Sequence, residues 1–294
     1  MRKLFLILLM AITVITGIAM ARASAASPQS GLQINPLRDF QTIKPGQQKT
    51  GTLSVINLSS QPEVVTMSVK TFSVTDYTYD YTFSAPKADW IHFSQNSVEL
   101  EPGQTADVTY YLNPGKNATP GGYYYTLVAS TTVESQGTSS TVQAATLLYL
   151  TIEGDLIKTG NLSNAQVQRL VFGKDIGYSI NARNSGNVHY FISVSSKLYG
   201  IFTSNETTPT SHLLLPGTIR RIGGSVPSPV LPGLYRVAIT FRTDGGINQT
   251  SSRFLFYIPP WFIAVLLGGI LVYRGSKNPK PKQQKHHVNK EPDS

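Results

Sequence analysis

Between residues 29 and 258 no stretch sustains a helical period, and Pro, Gly, Asn or Ser interrupts the chain about every ten residues. The segments left between interruptions are short and rich in Val, Ile, Thr and Tyr. Those at 50–57, 64–74, 106–112, 123–133 and 142–152 alternate apolar with polar positions, so each has one face to bury. Parallel strands need long crossovers, normally helices, and this stretch offers none. The pattern therefore predicts antiparallel β-sandwiches.

Punctuation also divides the chain. In the first half Pro45-Gly46 precedes a strand ending at Asn57-Leu58-Ser59-Ser60, and Pro102-Gly103 and Pro120-Gly121 each open a strand. In the second half a strand ends at Asn184-Ser185-Gly186-Asn187, and Pro216-Gly217 and Pro232-Gly233 open the next two. The last two Pro-Gly pairs lie 18 residues apart in one half and 16 in the other, which reads as two copies of one module. Pro sets φ at the second residue of a turn, and Gly permits the positive φ that a type II turn requires at the third. Tyr123 and Tyr235 fall just inside the following strands, where a ring can pack in the core while its hydroxyl bonds the backbone at the corner. The expected fold is all-β: two tandem immunoglobulin-like antiparallel β-sandwiches, at 27–153 and 154–258, followed by a single transmembrane helix.

The termini set the expected address. Met1-Arg2-Lys3, an apolar run over 4–20 and the small-residue exit Ala21-Arg22-Ala23-Ser24-Ala25-Ala26 read as a signal peptide over 1–26, with an uncleaved N-terminal anchor as the alternative. The run IPPWFIAVLLGGILVY predicts a membrane span over 259–274, followed by a basic cytoplasmic tail over 275–294. The implied location is the cell membrane, crossed once, with the N-terminal region outside. The formal net charge of +9 sits mostly at these ends: 16 basic and 14 acidic residues remain between them, which removes the main support for nucleic-acid binding. The chain has no cysteine, so its sandwiches must be stable without disulfides, as suits an exported protein of a bacterium, particularly one with a single membrane.

Catalytic chemistry finds little footing. His92, His189 and His212 are isolated in sequence, no Gly-x-Ser-x-Gly elbow occurs, and no calcium-loop pattern is present. The expectation is a non-enzyme with no cofactor and no metal site. Two groups stand out as binding candidates. In Asp76-Tyr77-Thr78-Tyr79-Asp80-Tyr81-Thr82-Phe83, a strand would place Tyr77, Tyr79, Tyr81 and Phe83 on one face, suited to stacking on sugar rings or docking a partner, or else to covering the sandwich. Arg220, Arg221 and Arg236, with Arg242 and Arg253, fall on neighbouring segments of the second half, either facing an anionic wall polymer or guarding strand edges.

Residues 101–109 (EPGQTADVT), ending in Pro120-Gly121-Gly122-Tyr123, resemble bacterial immunoglobulin-like surface modules of the alpha-galactosidase-associated type. The layout of export signal, two β domains, anchor and basic tail resembles the WxL-interacting protein family, whose N-terminal pattern is matched by Lys44-Pro45-Gly46 through Val55-Ile56-Asn57. The resemblance implies attachment to cell-wall glycan or to another surface protein, without catalysis. A scaffolding subunit of a membrane transport or secretion complex is the alternative, and an exported hydrolase a third reading.

Overall fold

The computed structural model describes residues 31–135, 138–201, 204–243 and 248–277. The signal peptide expected over 1–26 and most of the expected tail lie outside them. The described chain forms two compact units: residues 31–73 with 82–155, and residues 74–81 with 156–277. The crossing from one unit to the next falls at Asp155–Leu156. The eight residues 74–81, which sequence alone places inside the first sandwich, group with the second unit.

In unit 1, one sheet has the order β1 (Leu32–Asn35), β3 (Lys49–Asn57), β8 (Thr105–Leu112), β6 (Ile91–Phe93). The facing sheet runs β2 (Arg38–Ile43), β10 (Thr138–Ile152), β9 (Gly121–Ser135), β4 (Glu63–Val74), β5 (Tyr81–Ser84), with β7 (Ser97–Leu100) also on β4. Alternation aims Leu53, Val55, Val108 and Tyr110 from one sheet at Val65, Leu127, Leu148 and Leu150 from the other, and all eight are buried. Burying a side chain of this size is worth roughly 1.5–3 kcal/mol, so this layer dominates what holds the unit together.

Unit 2 repeats the plan. Its smaller sheet has the order β11 (Gly160–Val167), β13 (Ile176–Asn184), β17 (Ile219–Val226). Its larger one runs β12 (Leu170–Phe172), β19 (Asn248–Ile258), β18 (Gly233–Thr243), β14 (Tyr190–Tyr199), β15 (Ser204–Glu206), with β16 (Thr210–Leu214) also on β14. Ile180, Ala182 and Ile222 pack against Ile192, Val194, Val237, Ile239, Phe241 and Leu255. Each unit carries a strand pair that departs from the antiparallel expectation: β2 runs parallel to β10, and β12 parallel to β19. The first strand of each module switches sheets, so its second half meets the last strand in the same direction, which needs no crossover helix.

The duplicated punctuation has a duplicated structure. Asn57 is fully buried; its Nδ2 donates to the carbonyls of Gln61 (2.8 Å) and Leu100 (2.9 Å), and its Oδ1 accepts from the Ser59 N–H (2.8 Å). Asn184 does the same with Val188 (2.9 Å), Leu214 (3.1 Å) and the Gly186 N–H (2.9 Å). Each asparagine also exchanges backbone bonds with the following turn, Gly103 and Gln104 in one unit, Gly217 and Thr218 in the other. Gly103 and Gly217 have φ of +75° and +73°, the third position of type II turns. The Tyr123 hydroxyl donates to the Thr119 carbonyl (3.0 Å) and that of Tyr235 to Leu231 (2.8 Å), the expected corner bonds.

The expectation of a membrane span is overturned. After β19 the chain forms α1 (Pro260–Lys277), and no helix among the described residues is long and apolar enough to cross a membrane. Its first turn spends residues on Pro260 and Trp261, and its last holds Arg274, Gly275, Ser276 and Lys277. What remains, 262–273 with Gly268-Gly269 inside it, covers about 18 Å at 1.5 Å per residue, against roughly 30 Å of hydrocarbon. The single-pass topology and the cell-membrane location inferred from that span fall with it.

Candidate binding surfaces

The tyrosine stripe is not a strand. Tyr77 and Tyr79 have φ of +69° and +66°, a left-handed backbone that non-glycine residues seldom adopt, and two such residues so close together destroy the alternation. Only Tyr81 and Phe83 lie in strand, at the start of β5, where both side chains are more than 40% exposed. The turn they leave behind is pinned within unit 2. Tyr77 N–H donates to the Ile219 carbonyl (2.7 Å), Arg221 N–H donates to the Tyr77 carbonyl (3.1 Å), and Asp76 Oδ1 accepts from the Ile219 N–H (2.8 Å). These bonds make an isolated parallel bridge on the outer edge of β17.

Tyr79 reaches further in. Its hydroxyl accepts from the Leu215 N–H (2.6 Å) and lies 3.2 Å from Thr218 Oγ1. Since Thr218 donates its own proton to the Leu215 carbonyl (2.8 Å), the Tyr79 hydroxyl is the donor toward Thr218. Burial, outweighing these bonds and the nearby Arg220 charge, pushes the phenol pKa up. Arg220 stacks over the Tyr79 ring at 4.6 Å and donates to the Leu213 carbonyl (3.0 Å), while Arg221 lies over Tyr77 at 5.4 Å. Two candidate groups from opposite halves of the sequence thus meet, and Tyr79 and Arg220 are committed to each other rather than to a ligand.

Arg236 stands apart from these on the outer face of the larger sheet. Its guanidinium lies 4.7 Å from the ring centroid of Tyr199, where Lys197 also approaches (5.5 Å) before pairing with Glu206 (3.4 Å). Strand register sets a band of apolar side chains beside it: Leu170, Phe256 and Leu234 lie in line across β12, β19 and β18, with Phe172 next along β12 and Phe254 next to Arg236. All five are between 45% and 64% exposed. The sequence does contain their signal. Residues 254–258 (FLFYI) are apolar on both strand faces, whereas a half-exposed strand normally alternates.

On unit 1, Phe40, Tyr149, Tyr124 and Phe72 form a row across four adjacent strands on the sheet face turned from the core. Phe40 stacks on Tyr149 (4.7 Å), and Phe72 meets both tyrosines edge-on or tilted (5.4 and 5.6 Å). Beside the row lies a cleft of about 410 Å³ whose lining includes Thr71, Phe72, Ser84, Lys87, Tyr123 and Tyr124. A second cleft in unit 2, about 480 Å³, is lined by Gln166, Gln168, Lys174, Asp175, Tyr178 and Ser179 among others. The described histidines, His92, His189 and His212, do not gather at either one. Burial, then the Lys158 charge, lowers the pKa of His189 to about 4, and burial, then Arg220, lowers that of His212. Among the described residues no three His, Asp or Glu side chains are grouped as a metal would require.

No protein-family model matches the chain, and no curated protein matches it. Solved structures do resemble it. The class 5 fimbriae chaperone CfaA aligns over 78% of this chain and all of its own, at 11% identity and a TM-score of 0.44. The chaperone-tip adhesion subunit pre-assembly complex CsuC-CsuE of Acinetobacter baumannii Csu pili gives 78% and 100% coverage, 13% identity and a score of 0.40. The Salmonella enterica SafA pilin in complex with the SafB chaperone gives 79% and 98%, 14% identity and 0.39. At such identities and scores the likeness leaves the function to the geometry of this chain.

Proposed function

We propose that the chain is a non-catalytic binding protein whose second sandwich docks another exported protein on the outer face of its larger sheet. The observation that carries this reading is the band of Leu170, Phe172, Leu234, Phe254 and Phe256, held side by side by strand register and left open to solvent. Single exposed apolar side chains are ordinary, but a contiguous patch loses free energy to water that a partner recovers. Arg236 on Tyr199 supplies the amphipathic rim that protein interfaces favour. Cell-wall glycan, the other ligand class, finds its best footing at the unit 1 cleft, where Tyr123 and Tyr124 stand among hydroxyls and Lys87.

Two matrices separate the ligands, one bearing extracted surface proteins and one purified wall polymer. The chain is expected to bind the first, and Phe254→Ser with Phe256→Ser is expected to lower retention about tenfold or more while leaving the β-sheet circular dichroism unchanged. Undiminished retention of the double variant on the protein matrix, or retention by wall polymer alone, overturns the reading.

A further inference from the structure

The two modules differ at one edge. In unit 1 the edge of β8 is covered by β6, which pairs Ile91, His92 and Phe93 with Leu112, Tyr111 and Tyr110. The Ser94 N–H adds a bond to the Thr109 carbonyl (2.8 Å). The strand in the same place in unit 2 is β17: both strands follow a Pro-Gly type II turn, at Gly103 and Gly217, and both carry the turn's bonds to the buried asparagine. Counting from those glycines, Thr109 and Tyr111 correspond to Gly223 and Ser225.

No strand covers Gly223 or Ser225 among the described residues, because the connection that supplies β6 in unit 1 is short in unit 2. Between β4 and β7 the chain has 22 residues, enough for both β5 and β6. Between β14 and β16 it has 10, and β15 uses them in pairing back on β14. The turn at Asp76–Tyr79 covers only the first part of the β17 edge. Ile219 gives both of its outward groups, to Asp76 and Tyr77, and Arg221 gives its N–H to Tyr77. Tyr77 and Tyr79 then turn the chain away through positive φ. Backbone polarity alternates along a strand, so the Arg221 carbonyl and both groups of Gly223 and Ser225 face outward with no strand opposite. Gly223 and Ser225 are exposed.

Two cations flank the uncovered part of this edge, while the Asp76 carboxylate on its covered part is taken up by the Ile219 N–H. Arg221 on β17 and Arg183 on β13 share the outer face of the sheet as diagonal neighbours, and neither has a carboxylate at ion-pair distance among the described residues. From this geometry we infer that the β17 edge is a docking site for an extended acidic segment of a partner protein, which adds as a short strand at Gly223 and Ser225 in the place β6 takes on β8. Main-chain bonds supply affinity without regard to sequence, and Arg221 and Arg183 select carboxylates at alternate positions. A second copy of this chain fits less well, since its own β17 (IRRIGGSV) has no carboxylate to offer Arg221 and Arg183. The inference rests on the reading of the chain as a protein-binding module and names a second contact for it.

Amide exchange on the intact chain tests it, with a short end-capped peptide of alternating Val and Asp as the probe and its Val/Lys counterpart as the control. The acidic peptide is expected to slow exchange at Gly223 and Ser225 about tenfold at saturation and to leave the already bonded Arg221 amide alone. Gly223→Ala is expected to bind as well as the parent, since the nearest atom to the added Cβ is 3.7 Å away. Gly223→Pro deletes an outward N–H without touching the β13 ladder, and is expected to weaken binding about tenfold or more. Equal protection by the basic peptide, no protection by either, or protection that grows with protein concentration alone overturns the proposal. Loss of the peptide effect in a chain whose Phe254/Phe256-dependent retention persists sinks the edge alone; the reverse pattern sinks the face-docking reading and spares the edge.

Discussion

At the scale of single residues, His189 is held in an environment that favours its neutral form, and the consequence falls in an accessible pH range. It is partly buried just ahead of β14, and desolvation, helped by the Lys158 charge, lowers its pKa to about 4 from 6.5. The folded state therefore holds a neutral imidazole through most of the acid range, while the unfolded chain takes up a proton near pH 6.5. Between those two values the unfolded state binds more protons, so this residue's contribution is fully present above pH 6.5 and is lost as pH falls toward 4. The loss is of the order of 2–3 kcal/mol. Urea unfolding at pH 7.5, 5.5 and 4.5 is expected to show the midpoint falling, and His189→Gln is expected to flatten that part of the profile. The corner tyrosines, Tyr123 and Tyr235, were legible in sequence because their partners lie four residues back. Tyr79 was not, because Leu215 and Thr218 lie 136 and 139 residues away and nothing local announces them.

Among elements, the asparagine that ends β3 and β13 joins each strand to two neighbouring segments. Asn57→Ala strands the buried Leu100 carbonyl, and Asn184→Ala strands that of Leu214. Each substitution is expected to cost about 2–4 kcal/mol, since a buried acceptor without a donor bears its full desolvation penalty. Denaturant midpoints should move by similar amounts for both, because the two sites share one bonding scheme, whereas Asn161→Ala on the exposed rim of β11 serves as a control near zero. Such corners could be read from Pro-Gly spacing because turn chemistry is local. Periodicity failed where tertiary bonding overrode it. An aromatic at every second residue of 77–83 implies a strand only if φ stays negative, and the bonds from Asp76 and Tyr77 to β17 hold the chain in a turn instead. In α1 the apolar run is too short to span because its ends are Pro260-Trp261 and a polar last turn.

For the molecule as a whole, the duplicated architecture was legible and the true partition was not. Two Pro-Gly series gave two modules, but the chain carries residues 74–81 out of the first and into the second, where they cap β17 and half-bury the Tyr79 ring. Each unit has its own core, which leads to the expectation of two unfolding transitions rather than one. A substitution should then act on the unit in which its side chain packs, not on the one to which its sequence position belongs. Tyr79→Ala removes a half-buried ring, the hydroxyl acceptor of the Leu215 N–H and the platform for Arg220. A cost of about 3–4 kcal/mol is expected, confined to the unit 2 transition. Tyr79→Phe keeps the ring and loses only the hydroxyl, so about 1–2 kcal/mol should disappear from that same transition. Trp90 packs on Tyr123 at 4.7 Å in unit 1, and Trp261, whose Nε1–H donates to the Val230 carbonyl, lies in unit 2. Fluorescence of Trp261→Phe and Trp90→Phe chains therefore follows each unit alone. If Tyr79→Ala shifts the Trp90 signal and leaves the Trp261 signal in place, residues 74–81 belong energetically to the first unit after all, and the Tyr77–Arg220 bridge does not hold the turn on the β17 edge.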